Sequence, residues 1–192
     1  MIVKIGLTGS IGMGKTTTAR MFADEGCFVW NADDVVHRLY AGPASDQIEN
    51  LFPGTTENGQ VDRDKLRVRV AGDPDALKKL ENIIHPLVAQ DRMEFIKQHD
   101  TGILVFDIPL LFETGADQLM DVTVCVSIDP KTQKKRVMDR GTMTEQQFET
   151  ILSKQMPDAE KRALATYVIE TSSIEYAQKQ VKDILKKVAK NA

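Results

Sequence analysis

A short apolar run, a glycine-rich loop and a helix-forming segment follow one another at the start of the chain. The run Ile2–Thr8 is rich in β-branched residues and predicts a buried strand. The next residues, Gly9-Ser10-Ile11-Gly12-Met13-Gly14-Lys15-Thr16, fit the pattern G-x-x-x-x-G-K-[ST]. Beyond them, Ala19, Phe22 and Ala23 fall on one face of a predicted helix. This succession constrains the fold more than any other feature of the sequence.

A strand, a glycine loop and a helix in this order are suited to binding phosphate. Gly9, Gly12 and Gly14 permit backbone conformations that let the N–H groups of the loop wrap around an anion. The first turn of the helix adds unpaired N–H donors and the positive end of its dipole. We expect Lys15 to lie between the β- and γ-phosphates of a nucleotide, and Thr16 to offer its hydroxyl to Mg²⁺.

Composition and charge exclude several other classes of protein. The chain has 192 residues, enough for one α/β core with insertions, and its formal charge of −3 provides no basic field for nucleic acid. No apolar run approaches membrane-spanning length, and no secretory signal precedes the first strand. Cys27 and Cys125 lie in apolar runs without metal-ligand spacing, which predicts two buried thiols. We expect a cytoplasmic protein with no nucleic acid, membrane or obligate protein partner.

Four more apolar runs, separated by helical patterns, predict strands at residues 27–30, 103–107, 122–128 and 167–170. Five strands alternating with helices predict a doubly wound parallel sheet. Between residues 53 and 101 the pattern predicts helices and no strand. One of these helices starts at Asp73-Pro74 with Leu77 on its buried side, and we expect a break or kink at His85-Pro86. The final helix is expected to bury Ile174 with the rest of its apolar face.

Two carboxylates follow predicted strands, at the sheet edge where ligands of open α/β sheets bind. We expect Asp33 to orient an acceptor hydroxyl and take its proton. The alternative is a helix N-cap, which Asn31 or Asp34 could equally supply. Asp107 either acts on the hydration shell of Mg²⁺ or forms a helix cap or a loop salt bridge.

Several features favour a kinase that acts on a small molecule. The chain is short, and no Asn-Lys-x-Asp run, the guanine signature of GTPases, follows the fourth strand. Arg136 and Arg140 lie four residues apart on one helix, and a polar helical hairpin follows them. Arginines beside a mobile flap neutralise the charge of a transferring phosphoryl group, and closure of the flap excludes water.

Several segments together closely resemble dephospho-CoA kinases, from residue 2 to about 181 with the spacings intact. The most specific are Ile84-His85-Pro86-Leu87 and Asp107-Ile108-Pro109-Leu110-Leu111-Phe112-Glu113. The others are residues 9–17, 31–33, 62–67 and Gln155-Met156-Pro157. Related nucleoside-phosphate and shikimate kinases share the glycine loop but not the two specific segments.

The resemblance implies an α/β, three-layer P-loop NTPase fold with a five-stranded parallel sheet, a helical substrate-binding insert and a helical lid. It places the nucleotide-binding core at 1–58, 101–137 and 160–192, the CoA-binding insert at 59–100 and the lid at 138–159. It implies transfer of the γ-phosphoryl of ATP, with Mg²⁺, to the 3′-hydroxyl of dephospho-CoA, which is the last step of coenzyme A biosynthesis.

The resemblance also implies roles for single residues. Asp33, Lys15 and Arg140 would be catalytic, and Thr16 would bind the metal. The ATP side would comprise Gly9, Gly12, Met13, Gly14, Lys15, Thr16, Thr17, Arg136 and Arg140. The acceptor side would comprise Asp33, Arg63, Arg67, His85, Asp107 and Leu110. Alternatives stay open on that side, because Arg63 and Arg67 could form surface salt bridges and His85 could be a buried histidine or a helix stop.

The chain departs from the usual family pattern at several positions. Asn31 replaces an aspartate, Gly141 replaces the aspartate of an Arg-Asp pair, and Glu170-Thr171 replaces Asp-Asn. Met13 replaces a small serine, and we expect its side chain to point away from the phosphates. These departures keep two alternatives open: another P-loop kinase with a small hydroxyl acceptor, such as a nucleoside, and an ATP-binding module that has lost catalysis.

Overall fold

The computed structural model describes residues 1–191, and the chain divides into two units. One unit comprises Met1–Trp30 and the chain from His99 onward, and the other is Asn31–Gln98. The strands are β1 (Ile2–Thr8), β2 (Phe28–Asn31), β3 (Thr56–Glu57), β4 (Gln60–Val61), β5 (Gly102–Asp107), β6 (Val122–Ser127) and β7 (Tyr167–Glu170). The helices are α1 (Lys15–Asp24), α2 (Ala32–Tyr40), α3 (Ser45–Leu51), α4 (Arg63–Val70), α5 (Pro74–Lys97), α6 (Pro130–Asp139), α7 (Glu145–Leu152), α8 (Asp158–Leu164) and α9 (Ile174–Asn191).

The first unit is built on a five-stranded sheet with the order β2-β5-β1-β6-β7. The pairings of β1 with β5, of β1 with β6 and of β6 with β7 are all parallel, as predicted. The central strand β1 carries the glycine loop at its carboxyl end, and β5 and β6 flank it. The core joins buried residues of these strands to α1 and α9, including Ile5, Leu7, Val105, Val124, Phe22 and Val181.

Capping signals of the first unit act largely as the sequence predicts. Asp129 accepts a hydrogen bond from the Thr132 amide at the start of α6, and Thr144 forms a capping box at the start of α7. The start of α9 differs from the prediction. Ile174 is 59% exposed, because it lies in the first turn of α9 and ahead of the part that packs on the sheet. Our expectation that it would be buried was wrong.

The second unit contains four helices and a short antiparallel hairpin. The helices α2, α3 and α4 each pack against α5. An ion pair of 2.9 Å between Arg38 and Asp91 joins α2 to α5. The hairpin of β3 and β4 lies where we expected no strand. The unit begins nearer the N-terminus than the 59–100 segment that the resemblance assigned to CoA binding, and that assignment stays a prediction.

Helix α5 starts as predicted, with Asp73 as N-cap and Pro74 in the first turn, but it does not end at Pro86. Of the break or kink expected at His85-Pro86, the break does not occur, and the kink stays a prediction. A proline inside a helix leaves the carbonyl four residues earlier, here that of Asn82, without its helical partner. Because Asn82, His85 and Pro86 are all exposed, water can satisfy this carbonyl. Leu77 is also 46% exposed rather than buried. Among the described residues, no helix is long and apolar enough to cross a membrane.

Candidate phosphate-binding site

The loop between β1 and α1 has a backbone that only glycine adopts easily. Gly12 has φ 80° and Gly14 has φ 98°, both in the left-handed region. A Cβ atom on Gly12 would come within 2.5 Å of Val137 Cγ2 and 3.1 Å of the Gln133 carbonyl oxygen on α6. The packing of α6 against the loop therefore excludes even alanine at position 12.

Met13 contributes its backbone to the loop and its side chain to the core. The side chain is 2% exposed, and its Sδ accepts a hydrogen bond of 3.2 Å from the Ile128 amide. Its carbonyl accepts a hydrogen bond of 2.7 Å from the Thr171 hydroxyl. The expectation that this side chain points away from the loop is confirmed, and the replacement of the usual serine leaves the loop intact.

Lys15, the first residue of α1, forms an ion pair with the carboxylate of Asp107 at the end of β5. The Lys15 side chain is 13% exposed, whereas Asp107 is fully buried. Of the alternatives that the sequence left open for Asp107, the structure contains the salt bridge. A lysine held at the start of α1, with its ammonium at the mouth of the loop, is suited to meet a phosphate oxygen.

Arg136 and Arg140 line one cavity of about 360 Å³ together with Gly14 and Thr17. The two arginines therefore reach the beginning of α1, as their spacing on α6 predicts. The guanidinium of Arg136 donates hydrogen bonds of 2.9 Å and 2.6 Å to the hydroxyl and carbonyl oxygens of Thr171. Arg140, the C-cap of α6, is exposed. Arg136 thus holds Thr171 while lining the cavity, and the Arg140 side chain is exposed in the same cavity lining. That both bind ATP stays a prediction.

Asp33 lies in the first turn of α2, in the second unit. The N-cap of this helix is Asn31, whose Oδ1 accepts a hydrogen bond of 3.0 Å from the Asp34 amide. Because Asn31 is the N-cap, the exposed carboxylate of Asp33 does not serve as the cap. The alternative that we weighed against a chemical role for Asp33 is thereby removed.

The second unit brings Arg63 and Arg67 together at a cavity of about 550 Å³ that Tyr40 also lines. Arg67 forms an ion pair of 2.9 Å with Asp64, which is one of the surface salt bridges that the sequence left open. His85 is exposed on α5 and is not part of this cavity lining, so it is not a buried histidine. In the first unit, Leu110 is 40% exposed beyond β5.

Several residues that hold the loop were missed at the level of sequence. Gln133, Gln155 and Thr171 each form a hydrogen bond with a backbone group of the loop. Lys161 is fully buried and bonds the Pro109 carbonyl, which also accepts a hydrogen bond from Thr8, the residue before the loop. Gln155 belongs to the segment Gln155-Met156-Pro157, which is part of the family resemblance, but the resemblance implied no role for this residue. Each partner lies more than 100 residues from the loop in sequence, so no local pattern marks Gln133 or Thr171.

The described residues offer groups suited to phosphate binding, and their two cysteines are not reactive thiols. They contain no group of three or more His, Cys, Asp or Glu side chains that could hold a metal ion. Both cysteines are free and buried, as predicted. Burial, with nearby carboxylates, raises the pKa of Cys27 to about 11 and that of Cys125 to about 12, so neither is a ready nucleophile.

The matching family model and the curated relatives name one family. The family model described as dephospho-CoA kinase matches residues 3–176. A dephospho-CoA kinase of Ruegeria pomeroyi is 53% identical over 98% of this chain and 96% of its own length. One of Bradyrhizobium diazoefficiens is 50% identical over 97% and 96%. A crystal structure from Thermus thermophilus matches with a TM-score of 0.88 and 33% identity, covering 96% of this chain and 97% of that one.

Proposed function

The chain belongs to the dephospho-CoA kinase family, and we propose that its glycine loop holds ATP while Asp33 accepts the proton of the attacking hydroxyl. The protein is an enzyme that phosphorylates dephospho-CoA with ATP as co-substrate. In the proposed reaction the γ-phosphoryl moves to the 3′-hydroxyl of the ribose, and the products are coenzyme A and ADP.

The observation that carries the ATP side is the loop itself. Its left-handed glycines, the N-terminus of α1 and the Lys15 ammonium form a cradle for a triphosphate. The cavity beside it, lined by Gly14, Thr17 and Arg140, is an apt place for the rest of the nucleotide. Arg140 then supplies positive charge as the phosphoryl group leaves ADP.

We assign the binding of Mg²⁺ to the Thr16 hydroxyl, which is exposed one residue after Lys15. Mg²⁺ prefers oxygen ligands and is usually held by one or two protein groups plus substrate phosphates, so the absence of a larger acidic cluster among the described residues fits this metal. The ion supplies neutralisation of the phosphate charge when it is bound. Asp107 is the nearest carboxylate to Lys15, and its part in binding the ion or the acceptor stays a prediction.

The proposed role of Asp33 rests on its position after β2 and on its carboxylate not being used as a helix cap. It lies two residues after β2, and the cap of α2 is provided by Asn31 instead. Its exposed carboxylate can accept a proton from a sugar hydroxyl at the moment of attack. Arg63 and Arg67, whose cavity is basic, are the residues we propose for the phosphates of the acceptor.

The test compares Asp33→Asn with Asp34→Asn, a matched change at the next residue of the same helical turn. We expect Asp33→Asn to lower kcat about 10²-fold or more with little change in KM for ATP, since a lost general base slows only the chemical step. Asp34→Asn should stay within about threefold, as surface substitutions usually do. Unchanged turnover in Asp33→Asn would remove Asp33 from the mechanism.

An ADP-release assay with a panel of acceptors separates the remaining alternatives. Turnover with dephospho-CoA and not with nucleosides is the expected result. Turnover with a nucleoside alone would favour another kinase of this fold, and no turnover with any acceptor would favour a silent ATP-binding module. The cytoplasmic location expected from the sequence stays a prediction.

A further inference from the structure

The backbone of Ile11, at the crown of the glycine loop, is held at both of its polar groups by glutamine side chains. Its N–H donates a hydrogen bond of 3.1 Å to Oε1 of Gln155, in the segment between α7 and α8. Its carbonyl accepts a hydrogen bond of 2.8 Å from Nε2 of Gln133, a buried residue of α6. Two different elements therefore fix the same residue of the loop.

The backbone next to Gln155 is held by a network around a buried lysine. The amide of the next residue, Met156, donates a hydrogen bond of 2.8 Å to Glu113. Glu113 forms an ion pair of 2.8 Å with Lys161, whose side chain is fully buried. Burial of a lysine costs free energy unless the ammonium is paired and hydrogen-bonded. Breaking the ion pair with Glu113 would leave a buried charge without its partner, so the geometry of these contacts is strongly favoured. The backbone next to Gln155 is thus anchored to the segment that follows β5.

The same network returns to the start of the loop. Lys161 also donates a hydrogen bond of 2.9 Å to the carbonyl of Pro109. That carbonyl accepts a second hydrogen bond, of 3.0 Å, from the hydroxyl of Thr8, the residue before Gly9. One set of contacts therefore connects the base of the loop to the backbone beside Gln155, whose side chain bonds the crown.

An N–H group that donates to a side chain is not available to a phosphate, and its direction fixes the plane of its own peptide, here that between Ser10 and Ile11. We propose that Gln155 is a positioning residue for the kinase reaction. By holding the Ile11 N–H, it sets which amides of the loop point at the triphosphate, and it makes ATP binding depend on the segment between α7 and α8. This proposal rests on the proposed function in one respect, namely that ATP occupies the loop.

The experiment uses Gln155→Met, which keeps the length of the side chain and removes the amide acceptor. Gln146→Met, on the exposed face of α7, is the matched control. We expect Gln155→Met to speed hydrogen exchange of the Ile11 amide and to weaken binding of a non-hydrolysable ATP analogue about tenfold, the size of effect typical of one lost buried hydrogen bond. KM for dephospho-CoA should change by less than about twofold, since uniform binding of the other substrate is untouched.

A second variant separates the hydrogen bond from general disturbance. Gln155→Glu keeps an acceptor oxygen, so the Ile11 amide should stay as protected as in the wild type. Equal exchange of the Ile11 amide in Gln155→Met and wild type would overturn the proposal. So would equal losses of affinity for the ATP analogue and for dephospho-CoA, or the same loss in Gln146→Met. Because amide exchange and analogue binding need no turnover, they decide this proposal even if the enzyme proved inactive on dephospho-CoA.

Discussion

The phosphate loop of the first unit and the candidate residues of the second unit differ in how firmly their surroundings hold them. In the first unit, the phosphate loop is fixed by buried partners, and Lys15 is already paired with a fully buried carboxylate. In the second unit, Asp33, Arg63 and His85 are exposed on helices. A substitution in the loop should therefore disturb structure and activity together, whereas one on these helices should change activity alone. Four predictions follow from this difference, ordered by the size of the expected effect.

The largest effect is expected for Lys15→Ala. Loss of a cation at the site of charge development should lower kcat/KM for ATP about 10³-fold, and removal of the partner of a buried carboxylate should also destabilise the fold. Lys182→Ala is the control, since this lysine of α9 forms a half-exposed pair with Glu25. Steady-state kinetics and urea unfolding measure both consequences. Full activity of Lys15→Ala would contradict the role given to the loop.

The next effect compares two glycines with nearly the same backbone conformation. Gly12 has φ 80° and is tightly packed, whereas Gly54, in the second unit, has φ 83° and open space around its missing Cβ. Alanine at position 54 should cost about 1 kcal/mol in the free energy of unfolding, from its left-handed φ alone. Alanine at position 12 should cost about 3 kcal/mol because overpacking adds to this strain.

The same pair distinguishes structure from activity. Gly12→Ala moves the loop against α6 and should reduce kcat/KM for ATP by about 10²-fold, because misplacement of about 1 Å has effects of this size. Gly54→Ala should leave the kinetics unchanged. Equal destabilisation of the two variants in urea would show that α6 does not confine the loop.

The third effect concerns the exposed arginines. Arg63→Met and Arg67→Met should each raise KM for dephospho-CoA, by about tenfold for a lost charge-assisted hydrogen bond, with KM for ATP unchanged. Arg63 should matter more, because Arg67 must first leave Asp64. Arg69→Met, on the same helix but outside the cavity lining, is the control. An equal rise in Arg69→Met would mean that the cavity is not the acceptor site.

Some features of the two units could be predicted from the sequence, and others could not. The loop and its flanking strand and helix were predictable, since their pattern is local and its physical demands are narrow. The hairpin of β3 and β4 was missed although Asn58-Gly59, with φ of 52° and 76°, is a recognised hairpin turn signal. Its strands have only two residues each, too few for an alternating pattern to show.

Burial of Lys161 could not be predicted from any local pattern. Lysine usually marks a solvated surface, and Arg162 beside it reinforces that interpretation. Its burial depends on Glu113 and the Pro109 carbonyl, which are about fifty residues away along the chain. The sequence likewise left open whether the Asp33 carboxylate caps α2, and the structure shows that Asn31 is the cap. The candidate residues were thus predictable by type and position, but their partners depended on tertiary contacts.

The smallest effect concerns Glu113, which forms an ion pair with Lys161. It tests whether this charge pair, away from the predicted ligand-binding residues, stabilises the first unit. Burial acts to raise the pKa of Glu113, but hydrogen bonds from Lys161 and Met156 outweigh it, and the net pKa lies below the ordinary 4.5. The folded state therefore binds the proton less readily than the unfolded state. The stabilisation is present above pH 4.5 and is lost as the pH falls through the lower pKa of the folded protein.

Glu113→Gln should reduce the free energy of unfolding at pH 7 by about 2 kcal/mol, as expected for hydrogen bonds to a charged group. The difference from the wild type should shrink below pH 4.5, because the wild-type carboxylate is then increasingly protonated. Glu149→Gln is the control, since its pair with Lys134 is exposed and worth little. Urea unfolding at a series of pH values makes the comparison. If the difference in the free energy of unfolding stayed constant as the carboxylate became protonated, Glu113 would stabilise the segment after β5 by packing rather than by charge. The geometry of the loop would then not depend on the ion pair with Lys161.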